Sequence, residues 1–278
     1  MRLPRRLIRT LTDFRQQILS CLPPEYPWGD HISCFDTLDS TNDRLKALAR
    51  QGAPEGTAIF ADQQTGGHGR LGRSFHSPAG MGIYLSLLLR PVCAPQDLMH
   101  LTCAVAVAMA DAVEAAAGFR PGIKWTNDLV FGKRKLGGIL TELGLSPRGQ
   151  LDYAILGIGI NCCQESQDFP PELKSIAGSL AMVARKPIDR ARAAAAMLSA
   201  LHRMNTCLLT GQADMLAQYR RDCVTLGKDI SLLRGDFVRH GYALDVDDAG
   251  ALVVRYEDGQ LEHVSSGEVS VRGMYGYL

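Results

Sequence analysis

An excess of charge of either sign is missing from this chain. Thirty Lys and Arg stand against 29 Asp and Glu, a net charge of +1, so no global field points to nucleic acid as a partner. No C-x-x-C pair occurs among the eight cysteines. That argues against a zinc site or a disulfide framework and for reduced, mostly buried thiols in a cytoplasmic protein. Apolar runs are interrupted by charge or fall short of the ~20 residues of a membrane span. No apolar segment near the start resembles a secretion signal, and neither a G-K-[ST] phosphate loop nor an internal repeat is present.

What is present suits a globular chain of one large or two unequal domains: 278 residues, 46% hydrophobic and 21% charged. The first twenty residues carry Arg2, Arg5, Arg6, Arg9 and Arg15 against Asp13, with Leu3, Leu7, Leu11, Phe14 and Ile18 at near-helical spacing. Such a segment reads as a surface helix or as a transit peptide.

Periodicity and turn residues predict strands at 31–37, 57–61, 82–89 and 154–160. They predict helices from the cap-rich Asp39-Ser40-Thr41-Asn42 to about Gly52, over 96–117, 188–210 and 213–222, and a hairpin over 123–142 turning around 131–134. Residues 62–80 and 170–180 read as loops. From Thr225 onward the texture changes to five short β-like runs (230–233, 242–246, 252–256, 261–265, 269–272) separated by Gly and Asp turns, the pattern of a small β-barrel.

Four clusters could carry chemistry. The densest runs from Gln64 to Arg73, where glycines expose backbone N–H groups and Arg70 and Arg73 offer forked donors for carboxylate or phosphate. Gly67-His68-Gly69-Arg70-Leu71-Gly72 formally fits G-x-G-x-x-G, but a strand follows instead of a helix and no acidic residue stands about 20 positions on, so a dinucleotide fold is rejected. A flexible surface loop is the plainer reading. Lys124-Trp125-Thr126-Asn127-Asp128 with Lys135-Leu136-Gly137-Gly138-Ile139-Leu140 forms the second cluster. Lys135 either opens a Gly-lined strand into a site or belongs with Lys133 and Arg134 to a solvated turn. Trp125 reads as core, and Asn127-Asp128 as turn chemistry. Gly157-Ile158-Gly159-Ile160-Asn161 places glycines where a strand meets a ligand or a packing neighbour. Ser40-Thr41-Asn42 serves equally as a helix cap.

Taken in order, these clusters, with Ser77-Pro78 and the tail Gly267-Glu268-Val269-Ser270-Val271-Arg272, resemble the biotin–protein ligase family over residues 31–272. The resemblance implies an α+β fold: a mixed-sheet catalytic domain of the biotin/lipoate ligase type (31–224) behind an N-terminal extension (1–30), with a small C-terminal SH3-like β-barrel (225–278). It implies an ATP-dependent biotin–[acetyl-CoA-carboxylase] ligase that uses biotin and ATP with Mg²⁺. The reaction would proceed through an adenylate to a lysine of a biotin carboxyl carrier protein or domain, without specific DNA or membrane partners, and is compatible with a homodimer.

On the same ground Arg70 and Lys135 would draw the biotin carboxylate and the α-phosphate together, and Asp128 would orient the carrier lysine or Mg²⁺. Ser40, Thr41, Asn42, Gln64, Gly67, His68, Gly69, Arg70, Lys135 and Gly138 would bind biotin. Arg70, Arg73, Phe75, Lys135 and Asn161 would bind the nucleotide. No metal ligand set is assigned to the protein.

Three positions depart from the family's usual residues: His68 stands for Arg, Phe75 for Trp and Thr126 for Pro. His68 matters most, because an imidazole, unlike a guanidinium, changes charge across the physiological range. Two rival functions remain in view. A lipoate-type acyl–protein ligase would share the sheet and the adenylation chemistry. A DNA-binding regulator would need a winged helix of roughly twice the ~30 residues that precede the first predicted strand.

Overall fold

The structure is a computed structural model that describes residues 11–265 and 270–273. The apolar pattern and arginines read in the first ten residues, and the tail at 267–269, lie outside the described residues.

Helix α1 (Leu11–Cys21) leads into β1 (Ile32–Leu38), α2 (Thr41–Arg50), β2 (Ala58–Gln64) and β3 (Gly82–Leu89). Helix α3 (Leu101–Ala117) precedes β4 (Gly122–Lys124), β5 (Asp128–Phe131), β6 (Arg134–Leu145) and β7 (Leu151–Asn161). Helices α4 (Leu180–Ala184), α5 (Arg190–Thr206) and α6 (Gln212–Asp222) follow. The chain closes with β8 (Asp229–Arg234), β9 (Phe237–Val246), β10 (Leu252–Arg255), β11 (Leu261–Val264) and β12 (Ser270–Gly273).

A seven-stranded sheet has the order β1-β2-β3-β7-β6-β5-β4, parallel only between β1 and β2. The second sheet, β11-β10-β9-β8-β12, is antiparallel throughout and forms the SH3-like unit expected from the Gly/Asp turn pattern.

Local chemistry explains most boundaries. Ser40 caps α2 by accepting from the Asp43 N–H, and Gly52 takes φ +87° just beyond its end. Gly118 closes α3 at φ +83°, donating to Glu114 O. The helix expected over 96–117 is broken. Asp97 accepts from the Ala94 N–H and holds Pro95–Leu98 as a separate tight turn, so α3 begins only at Leu101. Together, Pro95–Ala117 is long and apolar enough to cross a membrane by length and composition, but in this fold α3 is buried nearly all round between the sheet and α5.

The predicted hairpin contains an additional strand, β4. Strand β5 pairs with β6 only as far as Gly138, across a shift between Leu129 and Val130.

The two faces of the large sheet are covered unequally. One carries α1, α3, α5 and α6 and the main core. Among the described residues the other carries only α2, over a small cluster of Leu45, Ala49, Ile59, Leu88, Tyr153 and Ile155. The rest of that face is open, and the functional site lies there.

The compositional break at Thr225 is not a break in packing. Ile230, Leu232, Val246, Leu252 and Val254 join the same apolar cluster as Trp125, Met215 and Tyr219. Trp125 joins the two units. Its N–H donates to Thr225 Oγ1 at 2.9 Å and its indole Nε1–H to Gly250 O at 3.1 Å. Tyr219 OH donates to Thr126 O at 3.1 Å, and the Trp125–Thr126 peptide is cis.

Trp125→Phe removes the indole donor and strands a buried carbonyl. The expected cost is about 1–3 kcal/mol, seen as a lower urea midpoint at unchanged slope. An unchanged midpoint would mean that the Gly250 carbonyl does not depend on this bond.

Candidate active site

Strands β6 and β7 form the floor of the open face. Gly138 pairs directly with Gly159, and Leu140 with Gly157. Without side chains at these glycines the sheet leaves a cavity of about 660 Å³. Each glycine is overlain by a side chain from elsewhere. A Cβ at Gly157 would lie 2.2 Å from Asn42 Oδ1, one at Gly159 2.5 Å from the Phe75 ring, and one at Gly138 3.3 Å from Lys135 Nζ.

The walls come from separate elements. Ser40, Thr41 and Asn42 line the cavity from the start of α2, and Gln64 from the end of β2. Gln64 Oε1 accepts from both the backbone N–H and the hydroxyl of Thr41, at 2.9 and 3.0 Å. Its Nε2 donates to Ser77 Oγ at 3.2 Å. Gly67 does not line the cavity. It lies behind, where a Cβ would stand 2.9 Å from Gln64 Nε2 and Ser77 Oγ, so its bare backbone is what lets those two side chains meet.

The segment from Gly66 to Phe75 forms the roof. Phe75 N–H donates to Gly67 O and Gly69 N–H to Arg73 O, folding the loop on itself. Leu71 sits at its tip, 57% exposed and at φ +57°, a conformation uncommon outside Gly, Asn and Asp. His68, Gly69, Arg70, Arg73 and Phe75 all line the cavity. The His68 ring is 3.1 Å from its own loop's Gly66 O through Nδ1.

Four fixed cations, Arg70, Arg73, Lys124 and Lys135, line the cavity against one carboxylate, Asp128. Lys135 Nζ donates to Asp128 Oδ1 at 2.6 Å. Arg70 Nη1 donates to Asn127 Oδ1 at 3.2 Å, and Asn127 Nδ2 to Ile139 O at 2.7 Å. Burial pushes the Arg70 pKa down, Asp128 pushes it back up, and Arg73 lowers it further. The guanidinium remains charged in this range, and the downward shift means that an incoming anion would be stabilised strongly beside it. The arrangement suits a ligand with several negative charges.

Asn161, assigned to the nucleotide, does not reach the cavity. It is 6% exposed, donates from Nδ2 to Gly178 O and accepts on Oδ1 from Gln164. It thereby braces the segment whose Ile176 O and Gly178 N–H pair with the Lys135 backbone. Its amide is consumed in holding Lys135's strand.

The lining residues that were not nominated from the sequence include Lys124, Asn127, Leu140 and Ile176. Lys124 and Asn127 lie inside the quoted motif. Ile176 comes from a segment read as loop and reaches the site only through its pairing with β6.

The sequence model of the Biotin/lipoate A/B protein ligase family matches residues 34–161, and that of the Biotin protein ligase C terminal domain matches 225–272. The chain is 38% identical over 234 residues to a Bifunctional ligase/repressor BirA of Bacillus spizizenii, covering 83% of this chain and 71% of that one. It is 32% identical over 236 residues to a Biotin--[acetyl-CoA-carboxylase] ligase of Mycobacterium tuberculosis, covering 83% and 85%. Its fold is similar to a biotin protein ligase from Aquifex aeolicus solved in complex with biotin and ATP, with TM-score 0.74, 29% identity and coverage of 87% and 98%.

The seat of Phe75 over Gly159 gives a test of the roof. Gly159→Ala should displace the ring, so that residues 66–76 exchange backbone hydrogens faster while β3 and β7 keep their protection. Unchanged exchange in 66–76 would mean that the ring does not hold the roof.

Proposed function

This chain belongs to the biotin protein ligase family, and from that premise we propose that it activates biotin with ATP and transfers it to a lysine of a carboxylase carrier domain, as a biotin–[acetyl-CoA-carboxylase] ligase. The observation that carries the reading is the cavity itself: four cations and one carboxylate at one end, uncharged hydrogen-bonding side chains at the other.

Biotin is a carboxylate joined to a neutral cyclic urea, and ATP is a polyanion. The neutral end, Ser40, Thr41, Asn42 and Gln64, matches the urea's N–H and carbonyl groups. Arg70 and Lys135 cancel the repulsion between the carboxylate and the α-phosphate. A carboxylate oxygen then attacks the α-phosphorus, the bond to the bridging oxygen breaks, and pyrophosphate leaves with that electron pair. The product is a mixed anhydride, biotinyl-AMP. The carrier lysine, as a free amine, attacks the anhydride carbonyl and AMP departs.

Asp128 is bonded to Lys135. When an anion engages Lys135, that carboxylate is placed to orient the acceptor lysine. Mg²⁺ would enter on the triphosphate of ATP. Asp128 is the sole acidic side chain among the lining residues, which fits a cation held mainly by substrate oxygens. Phe75 and Arg73 would face the nucleotide. The roof over 64–76 would order around both ligands and keep water from the anhydride.

On this reading residues 31–224 form the ligand-binding unit, 225–278 the SH3-like unit and 1–30 an extension. Eight free thiols support a reducing compartment such as the cytoplasm. A lipoate-type activity is the alternative. The SH3-like unit and the relatives named for biotin favour biotin.

Mass spectrometry of a biotin carrier domain incubated with the protein, MgATP and biotin should show one added biotinyl group, and lipoate should not compete. Preferential transfer of lipoate would overturn the assignment. Lys135→Ala should slow pyrophosphate release about 10²–10³-fold, the scale for losing a preorganised charge partner. A change below about threefold would return Lys135 to the role of a solvated turn residue.

A further inference from the structure

Asn42 has both ends of its amide committed. Its Oδ1 accepts from Ser86 Oγ at 2.5 Å and its Nδ2 donates to Glu142 Oε2 at 2.7 Å. Glu142 lies on β6 beyond the last residue paired with β5, outside the cavity, in a shallow outer groove that also contains Lys46. Its second oxygen receives Lys46 Nζ at 2.7 Å, and Lys46 also reaches Asp43 at 3.0 Å. Beneath Asn42 the sheet is bare at Gly157, where a Cβ would lie 2.2 Å from Oδ1. The amide therefore rests against backbone with no room to shift downward.

The sense of the amide follows from what its neighbours can donate. The Thr41 hydroxyl gives its proton to Gln64 Oε1, an amide oxygen. The Ser86 hydroxyl, fully buried, can give its own proton to Thr41 Oγ1 at 2.8 Å or to Asn42 Oδ1. By rotating, the serine hydroxyl can serve either orientation of Asn42, donating to Oδ1 or accepting from a flipped Nδ2, because a hydroxyl both donates and accepts. Glu142 does not. An ionised carboxylate only accepts, so a flipped Asn42 would set its carbonyl against a carboxylate with no hydrogen between them. Among the groups bonded to Asn42, Glu142 alone dictates which end of the amide turns inward.

We propose that Glu142, which does not touch the ligand, is the positioning residue that sets the hydrogen-bonding sense of Asn42 and so the cavity's affinity for the urea ring. This rests on the reading of the neutral end as the biotin-ring site. The carboxylate carries to the ring-binding wall a constraint imposed from the outer surface of β6. A neutral amide at 142 would release it, since Gln can donate or accept and Asn42 would then occupy both orientations.

The test is steady-state formation of biotinyl-AMP, followed by pyrophosphate release, in wild type, Glu142→Gln and Lys46→Met, with biotin and ATP varied separately. Biotin affinity and melting temperature are measured on the same samples. Glu142→Gln should raise the KM and Kd for biotin about tenfold, the scale of one misdirected buried hydrogen bond. The kcat and the KM for ATP should stay within twofold. Lys46→Met keeps the acceptor-only partner and should change the biotin KM less than threefold.

A general structural role for Glu142 would move kcat, both KM values and the melting temperature together, and that result overturns the proposal, as does a biotin KM within twofold of wild type in Glu142→Gln. If wild type itself forms no biotinyl-AMP, the underlying reading fails and the proposal falls with it. An active wild type with an indifferent Glu142→Gln variant rejects the proposal alone. Glu142→Asp, still acceptor-only but one methylene shorter, should fall between wild type and Glu142→Gln. If it is as impaired as Glu142→Gln, the sense of the bond is not what matters.

Discussion

Everything at this site depends on three missing side chains. Buried positions on adjacent antiparallel strands are normally filled to crystal-like density, as they are by Ile139, Leu156 and Ile160 on the opposite face of β6 and β7. On the open face, Gly138, Gly157 and Gly159 leave the floor to other side chains: Lys135, from earlier in the same strand, over Gly138, Asn42 of α2 over Gly157, and Phe75 of the roof over Gly159. The three guests differ in kind: a cation, a neutral amide and an aromatic ring. The glycine pattern thus sorts the cavity into a charged end, a neutral polar end and an apolar lid seat before any ligand enters. Glycine weakens a strand, and the long pairing of β7 with both β3 and β6 offsets that.

Electrostatics follows from this geometry. A half-buried cation is costly unless it is paired. Lys135 is held by Asp128 and Arg70 by Asn127, which keeps these cations oriented. The excess of positive charge is available to two anions that would otherwise repel. The restraint is relayed outward. Asn127 is tied to β6 through Ile139 O, the preceding turn to the SH3-like unit through Trp125, and Lys135's strand to the segment braced by Asn161. The small barrel therefore shares a core with the larger unit and helps hold one wall of the site.

Much of this was legible in the sequence, unevenly. Strands β3 and β7 and the Gly-Arg loop were plain from apolar runs and punctuation, because those signals are local. Ser40, Asp128 and Lys135 could be nominated because their motifs are contiguous. What escaped depends on pairing across the chain. Strand β4 is three residues long and exists by pairing with β5 and by a bridge from Ile123 to Cys223. Ile176 enters the cavity because its backbone pairs with Lys135, 41 positions earlier in the sequence. Asn161 looked like a ligand contact because it ends a Gly-rich strand, yet its amide is consumed by Gly178 and Gln164. Glu142 had no local signature at all, since its meaning lies in a bond to a residue 100 positions away.

In the proposed reaction this cavity holds a carboxylate and the α-phosphate of ATP together and joins them before any acceptor arrives. Isotope exchange between pyrophosphate and ATP, measured without a carrier domain, tests this directly. The account predicts exchange that depends on added biotin and is not supported by lipoate. Exchange that is absent until the carrier is added, or that proceeds without biotin, would contradict it.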